Sequence, residues 1–282
     1  MPLTTTAELV GAAAGSGRAV LAFNVVTLEQ LGGVLAGAER AGHPVVLQVS
    51  ENAVAFHGGR VGPLAAACRV AAEESAVAAS LHLDHATDLD LVAGAAAHGF
   101  SSVMVDASRL PHDENVAVTA RAARELHDQG LFVEAELGEV GGKDGAHAPG
   151  VRTDPGEAAA FVAATGVDAL AVAVGSSHAM ATRTARLDHD LVARLHAAVP
   201  VPLVLHGSSG VPPEDLRRAV AAGMTKVNVG TLLGLAFTAA VRDRLSADPS
   251  ATDPRRYLRE AREAVAEAVA QTLADVHADP AS

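Results

Sequence analysis

Short runs of β-branched and other apolar residues recur along the chain and alternate with Ala-rich segments whose apolar positions have helical spacing. Each run has the length of a buried strand, whereas the segments between the runs are long enough for helices. The helical segments have Thr, Pro or Asp at their starts and several end at Gly, which are helix start and stop signals. The predicted strands are Val20–Val25, Val45–Ser50, Ala79–Asp84, Ser102–Asp106, Leu131–Leu137, Ala169–Val174, Leu203–His206 and Lys226–Gly230.

This alternation predicts a parallel sheet, because strands that are each followed by a helix run in the same direction. Eight strand–helix units within 282 residues favour the α/β class and a (β/α)8 TIM barrel, with residues 1–282 as a single domain. A doubly wound sheet is the alternative. Residues 253–278 are predicted to form a long amphipathic C-terminal helix, and the Gly-rich stretch from Gly138 to Asp154 a lid or a disordered loop.

Composition and charge exclude several classes of protein. Hydrophobic residues make up 49% of the chain and charged residues 19%, which is ample material for a core. Aromatic residues are nearly absent and the formal charge is −12, so we expect no nucleic-acid partner. The single cysteine, Cys68, is predicted to be a buried helix residue. With no leader-like start and no 18-residue apolar run, the prediction is a cytoplasmic protein without membrane contact.

Polar residues follow the predicted strands at the point where nearly every strand ends. In a TIM barrel the carboxyl ends of the strands meet at one face, where the chemistry takes place. We therefore expect these side chains to converge on one site: Asn24, Ser50, Asp84, His85, Asp106, Glu136, His178, His206 and Asn228.

Three of these residues predict a metal site. His85, His178 and His206 come from three strand ends, and imidazole donors with an open position are what catalytic Zn²⁺ prefers. A lone histidine near a strand end is more often a structural residue, so the prediction depends on the set. Asp106 and Glu136 would hold a second divalent or monovalent cation, or orient the histidines that bind the metal.

Two Gly-rich segments, "LHGSSGVPPED" and "KVNVGT", follow strands seven and eight. Loops in these positions commonly hold phosphate in TIM barrels, through backbone N–H groups and a helix N-terminus. The hydroxyls of Ser208, Ser209 and Thr231 would add donors. A plain turn is the alternative for "GSSG", and the earlier "GAAAGSG" lacks the Lys-Ser/Thr ending of a P-loop.

The segments "LHLDH", "SSVMVDAS", "VEAELGEVGG", "AVGSSH", "PLVLHGSSGVP" and "KVNVGT", in this order, resemble the class II zinc-dependent ketose-bisphosphate aldolases of fructose- and tagatose-bisphosphate type. The similarity runs nearly end to end. It implies a dimeric or tetrameric TIM-barrel lyase of carbohydrate metabolism and glycolysis, with catalytic Zn²⁺. It also implies reversible cleavage of a ketose (bis)phosphate into dihydroxyacetone phosphate and an aldehyde such as glyceraldehyde 3-phosphate.

The resemblance also implies residue roles. His85, His178 and His206 match the zinc ligands, and Asp106 and Glu136 match positions that bind a second or alternative metal. Asp84 matches the residue that transfers the proton of the aldehyde-derived hydroxyl, and Asp144 the mobile-loop acid that acts at the enediolate. The expected substrate-binding residues are Asn24, Ser50, Ala179, Gly207, Ser208, Ser209, Asn228, Val229, Gly230, Thr231 and Arg262, the last for a distal phosphate.

The sequence departs from the family pattern in three places. Ala179 replaces a glycine, Asp144 replaces a glutamate, and Glu260-Ala261 replaces Pro-Gly beside the distal-phosphate arginine. These departures are the basis of an alternative, a non-catalytic sugar-phosphate-binding or regulatory homologue. A serine hydrolase is a further alternative, suggested only by "GSSG" and "GSSH", neither of which is a Gly-x-Ser-x-Gly elbow.

Overall fold

The computed structural model describes residues 3–137, 152–177 and 182–278. Its eight strands are all parallel and pair in chain order, with β8 closing on β1. The predicted TIM barrel is therefore confirmed. The strands are β1 (Val20–Asn24), β2 (Val45–Ser50), β3 (Ala79–Ala86), β4 (Ser102–Val105), β5 (Phe132–Glu136), β6 (Ala169–Ala171), β7 (Leu203–Leu205) and β8 (Met224–Val229).

Helices follow the strands on the outside of the barrel, and one further helix precedes the first strand. They are α1 (Thr6–Ser16), α2 (Leu28–Ala41), α3 (Glu51–Phe56), α4 (Val61–Glu74), α5 (Leu89–Ala93), α6 (His112–His127), α7 (Pro155–Thr165), α8 (His189–Ala198), α9 (Pro213–Ala221), α10 (Thr231–Ala247) and α11 (Pro254–His277). Short 3₁₀ turns occupy Ala96–His98 and Ser208–Gly210. The predicted C-terminal helix is confirmed as α11, which Asp253 caps. None of the described helices is long and apolar enough to cross a membrane.

Of the predicted strands only Val45–Ser50 has the observed bounds, and two of the larger differences have visible reasons. β6 was predicted to reach Val174 but ends at Ala171. Beyond that point Ala173 bonds with Thr153, whose N–H donates to the Ala173 carbonyl at 3.0 Å and whose hydroxyl accepts from the Ala173 N–H at 2.8 Å. β3 runs two residues past its predicted end, to Ala86, with a register shift against β4 between Leu83 and Ala86.

Side chains alternate between the two faces of each strand. Outward residues such as Leu81 and Leu83 pack with the helices in one large core cluster, which also contains the buried Cys68. The Cys68 prediction is confirmed, and burial raises the pKa of its thiol to about 12.

The barrel interior is apolar at one end and polar at the other. At the amino end of the strands α1 closes the barrel, where Leu9 and Val10 pack against Val20, Ala22 and Val46. This closure keeps water away from the base of the barrel. Above it lies a buried polar layer of Gln48, His82, Glu134 and Lys226, each at most 1% exposed.

Helix α11 folds back over α2 and makes part of the outer wall. At Gly37 of α2 an added Cβ would lie 2.4 Å from the Ala266 carbonyl oxygen of α11, so only glycine allows this approach. The same contact places Arg262 beside Gly32, on the outside of the barrel.

Candidate active site

A cavity of about 560 Å³ opens at the carboxyl ends of the strands. Most of the predicted site residues that the structure describes line it. They are Asn24, Ser50, Asp84, His85, Asp106, Gly207, Ser209, Asn228, Gly230 and Thr231. These side chains therefore converge on one cavity, as their positions at the strand ends predict.

The end of β3 has an unusual backbone that presents two consecutive side chains to the cavity. His85 has a φ of +50°, the only positive φ among the described non-glycine residues. The register of β3 against β4 shifts at the same place. Such a bulge changes the direction of side chains that would otherwise alternate. Asp84 and His85 consequently both face the cavity.

His85 is oriented by Asp106. Its Nδ1 donates to Asp106 Oδ2 at 2.8 Å, and Asp106 Oδ1 accepts from the Ser108 hydroxyl at 2.6 Å. A carboxylate on one ring nitrogen fixes the tautomer and presents the lone pair of the other nitrogen, here Nε2. Of the two roles predicted for Asp106, the geometry favours orientation of the histidine.

His206 has the same arrangement with the nitrogens exchanged. Its Nε2 donates to Glu134 Oε1 at 2.9 Å, and both side chains are fully buried. The lone pair presented to a ligand is then that of Nδ1. The rings of His85 and His206 meet edge to face, with centroids 4.8 Å apart.

Together these residues fit a metal ion. One ligand atom each from His85, Glu136 and His206 lies within 4.8 Å of the others. Two imidazoles, each with a carboxylate on its far nitrogen, and a buried carboxylate are a donor set that suits a borderline divalent cation such as Zn²⁺. The predicted third histidine, His178, lies outside the described residues.

Asp84 lies beside this cluster and is held by an amide. Asn24 Nδ2 donates to Asp84 Oδ2 at 3.4 Å, and Asp84 Oδ1 is 4.0 Å from His85 Nε2. Within the described part of the chain Oδ1 has no hydrogen-bond partner, although it is buried. The arrangement leaves one carboxylate oxygen beside the metal-ligand cluster available to exchange a proton with a ligand.

The loops after β7 and β8 line the cavity with glycines and with the first residue of α10. Gly207 has a φ of +66°, and an added Cβ would lie 2.5 Å from the Ser177 carbonyl oxygen. Gly230 caps α10, so the first N–H groups of this 17-residue helix point toward the cavity edge. Asn228 is 7% exposed, and neither its amide nitrogen nor its amide oxygen has a partner among the described residues.

Some predicted substrate-binding residues lie elsewhere. Ser208 is buried and its hydroxyl donates to the Asn228 carbonyl at 2.5 Å, so it joins two loops. Val229 faces outward and packs in the core under the helices. Arg262 is exposed on α11 and is not among the described residues that line the cavity. Ala179 and the predicted proton-transfer residue Asp144 lie outside the described residues.

Comparison with known proteins identifies the family. The sequence profile of fructose-bisphosphate aldolase class-II matches residues 4–279. The chain belongs to the class II fructose-bisphosphate aldolase family.

Named relatives of this aldolase cover almost the whole chain. A probable fructose-bisphosphate aldolase of Bacillus subtilis is 40% identical over 273 residues, 95% of each chain. A fructose-bisphosphate aldolase of Thermus caldophilus is 38% identical, again over 95% of each chain. The crystal structure of the YdjI aldolase from Escherichia coli K12 superposes with a TM-score of 0.86 at 32% identity, covering 99% of both chains. The predicted class of enzyme, a class II aldolase and hence a carbon–carbon lyase, is confirmed.

Two buried residues beside the metal-ligand cluster, Glu134 and Lys226, were not predicted as site residues from the sequence. Glu134 orients His206, and Lys226 Nζ donates to the second oxygen of Glu134 at 2.8 Å. His82 lies in the same layer. Burial first, and then the Lys226 ammonium, hold the pKa of His82 well below its ordinary range, so His82 is neutral. The alternation in "FVEAE" was the available signal, since it puts Glu134 and Glu136 on one face.

The Asp106–His85 contact generates a prediction. Asp106→Ala removes the acceptor that orients His85, and we expect zinc affinity to fall about 10–100-fold, measured by competition with a chromogenic chelator. Asp113→Ala, an exposed acid in the first turn of α6, is the matched control and should bind zinc as the wild type does. Equal affinities of the two variants would contradict the assigned role of Asp106.

Proposed function

We propose that this aldolase reversibly cleaves a ketose 1,6-bisphosphate of fructose or tagatose type into dihydroxyacetone phosphate and glyceraldehyde 3-phosphate. The observation that carries the proposal is the pair of histidines, each with a carboxylate on its far nitrogen, beside the buried carboxylate of Asp84. The two relatives named fructose-bisphosphate aldolase support the same substrate class.

The metal we propose is Zn²⁺, held by His85 Nε2, His206 Nδ1 and the undescribed His178. Glu136 lies close enough to join this set or to hold a second cation. When bound, Zn²⁺ would act as a Lewis acid that stabilises the negative charge developing on substrate oxygens during carbon–carbon cleavage. This chemistry needs no Schiff-base lysine.

Asp84 is the proposed proton-transfer residue. In the cleavage direction its Oδ1 takes the proton of the C4 hydroxyl as the C3–C4 bond breaks, and in condensation it returns that proton. The Asn24 amide on Oδ2 keeps Oδ1 directed toward the cavity. General acid–base catalysis of this kind contributes roughly 10²–10⁴-fold to the rate. Asp144 remains the residue predicted to act in proton transfer at the enediolate.

The phosphate of the dihydroxyacetone half is proposed to lie against the loops after β7 and β8. Gly207, Ser209 and the N-terminus of α10 line the cavity there. Backbone N–H groups and the positive end of a helix dipole suit a dianion without requiring a basic side chain. The Asn228 amide has no hydrogen-bond partner among the described residues, and we propose that it bonds with a substrate hydroxyl or carbonyl oxygen.

The far end of the substrate is proposed to meet Arg109. In the closed barrel three strands lie between β4 and β8 in either direction, so the loops after them lie on opposite sides of the opening. Arg109 follows β4, and it is the only lysine or arginine among the described residues that line the cavity. A ketose with one phosphate near α10 would extend across the metal ligands and bring a second anionic group toward Arg109.

The two alternatives, a serine hydrolase and a non-catalytic homologue, have little support. The hydroxyl of Ser208 donates to a backbone carbonyl and Ser209 Oγ accepts from the Leu232 N–H, so neither is paired with a histidine base within the described residues. A non-catalytic homologue would not need two oriented histidines beside a buried acid.

Asp84→Asn tests the proton-transfer role. We expect kcat for ketose bisphosphate cleavage to fall roughly 10²–10⁴-fold while bound zinc stays at the wild-type level. Asp88→Asn is the matched control, because asparagine caps α5 as well as aspartate does, and its kcat should be unchanged. The wild type should lose activity in chelator and regain it with zinc. Activity that persists in chelator, or an Asp84→Asn enzyme with near-normal kcat, would exclude the proposed mechanism.

Arg109→Met tests the site for the second anion. We expect KM for the 1,6-bisphosphate to rise about tenfold or more, because a charge-assisted contact of about 1.5–3 kcal/mol is lost. The KM for a ketose 1-phosphate should not change. Arg262→Met, assayed in parallel, discriminates between the two arginines. A raised bisphosphate KM in the Arg262 variant alone would assign the distal phosphate to Arg262 and not to Arg109.

A further inference from the structure

Lys226 lies in the middle of the barrel, beneath the cavity, and the reaction described above does not use it. It is fully buried in β8, and it is not among the described residues that line the cavity. A buried ammonium is costly unless it is paired and hydrogen-bonded. Its partners therefore indicate why the barrel retains it.

One partner leads to the metal site. Lys226 Nζ donates to Glu134 Oε2 at 2.8 Å, and Glu134 Oε1 accepts from His206 Nε2 at 2.9 Å. All three side chains are fully buried. Glu134 thus divides its two oxygens between the ammonium and the imidazole. Because Lys226 holds one oxygen, rotation of the Glu134 carboxylate would break a charged contact. The carboxylate therefore keeps its orientation and fixes the plane of the His206 ring.

The other partner leads to the proton-transfer residue. Lys226 Nζ also donates to Gln48 Oε1 at 3.3 Å, and Gln48 Nε2 donates to Asn24 Oδ1 at 3.3 Å. Asn24 Nδ2 in turn donates to Asp84 Oδ2 at 3.4 Å. The direction of every bond in this chain is set by the ammonium, which can only donate. Each amide must therefore present its oxygen toward Lys226 and its N–H₂ group toward Asp84.

We propose that Lys226 is a positioning residue for both halves of the chemistry, the metal ligand His206 on one side and the proton-transferring Asp84 on the other. Both arms begin at one nitrogen atom, so a single buried charge sets the geometry of the metal ligand relative to the acid. The inference rests on the proposed function for the role of Asp84, but the arm to His206 is independent of the substrate.

The experiment compares three single variants, Lys226→Met, Glu134→Gln and Gln48→Leu. Two quantities are measured, the zinc dissociation constant by chelator competition and kcat at saturating zinc. Lys226→Met should weaken zinc binding about tenfold and lower kcat about tenfold. Glu134→Gln should weaken zinc binding most, and Gln48→Leu should lower kcat without changing zinc affinity. Cobalt-substituted Lys226→Met protein should also show a changed visible spectrum, which reports on ligand geometry.

A double-variant cycle separates positioning from general loss of stability. In the Glu134→Gln background, Lys226→Met should cause no further loss of zinc affinity, because its effect passes through Glu134. Val46→Ala, which removes buried volume from the apolar layer at the base of the barrel, is the control and should leave zinc affinity and the cobalt spectrum unchanged.

The outcomes are distinct. Additive losses in the cycle, wild-type zinc affinity in Lys226→Met, or the same changes in Val46→Ala would overturn the proposal. If Lys226→Met does not fold, the split between Glu134→Gln and Gln48→Leu decides, and equal effects of both variants on both quantities would overturn it. A wild type that binds zinc but cleaves no ketose phosphate would contradict the proposed function, while the zinc measurements would still test Lys226.

Discussion

The active-site end of the barrel depends on the carboxylate of Glu134, which binds the Lys226 ammonium with one oxygen and the His206 imidazole with the other. The three side chains are fully buried, and α1 closes the barrel below them. Breaking a buried ion pair by removing one partner typically costs about 3–5 kcal/mol. The pair is therefore a poor way to gain stability over an apolar core, but an effective way to hold a polar layer in one arrangement.

The backbone of β3 contributes a second constraint. A non-glycine residue with positive φ typically costs about 1–3 kcal/mol, and such strain is found where the surrounding structure enforces it. At His85 the Asp106 hydrogen bond and the pairing of Asp106 with Ala86 hold the chain in place. The strain serves the site, because it allows Asp84 and His85, adjacent in sequence, to face the same cavity.

Much of the fold and the location of the active-site cavity could be predicted from the sequence. Alternation of short apolar runs with helical segments was enough for the barrel, since parallel strands with crossover helices have few other solutions. Polar residues at strand ends were enough to locate the cavity. The buried polar layer was harder, because Glu134 and Lys226 lie inside strands where apolar residues are expected. Only their pairing across the barrel, which is a tertiary property, explains them.

Side-chain direction marks the other limit of prediction. A motif shows which segment approaches a substrate, but not which atoms do. Ser208 and Val229 both belong to phosphate-loop motifs, yet one bonds to backbone and the other packs outward. Arg262 illustrates the same limit at longer range. The helical pattern predicted α11 correctly, but the face that α11 turns toward α2 depends on the close approach at Gly37.

The most direct test of the account is a crystal structure of the zinc-loaded protein, refined to show which nitrogen of each histidine binds the metal. We predict ligation by Nε2 of His85 and Nδ1 of His206, with Asp106 and Glu134 still bonded to the opposite nitrogens. Zinc bound through Nδ1 of His85 or Nε2 of His206, or bound away from both histidines, would contradict the claim that Asp106 and Glu134 orient the two metal ligands.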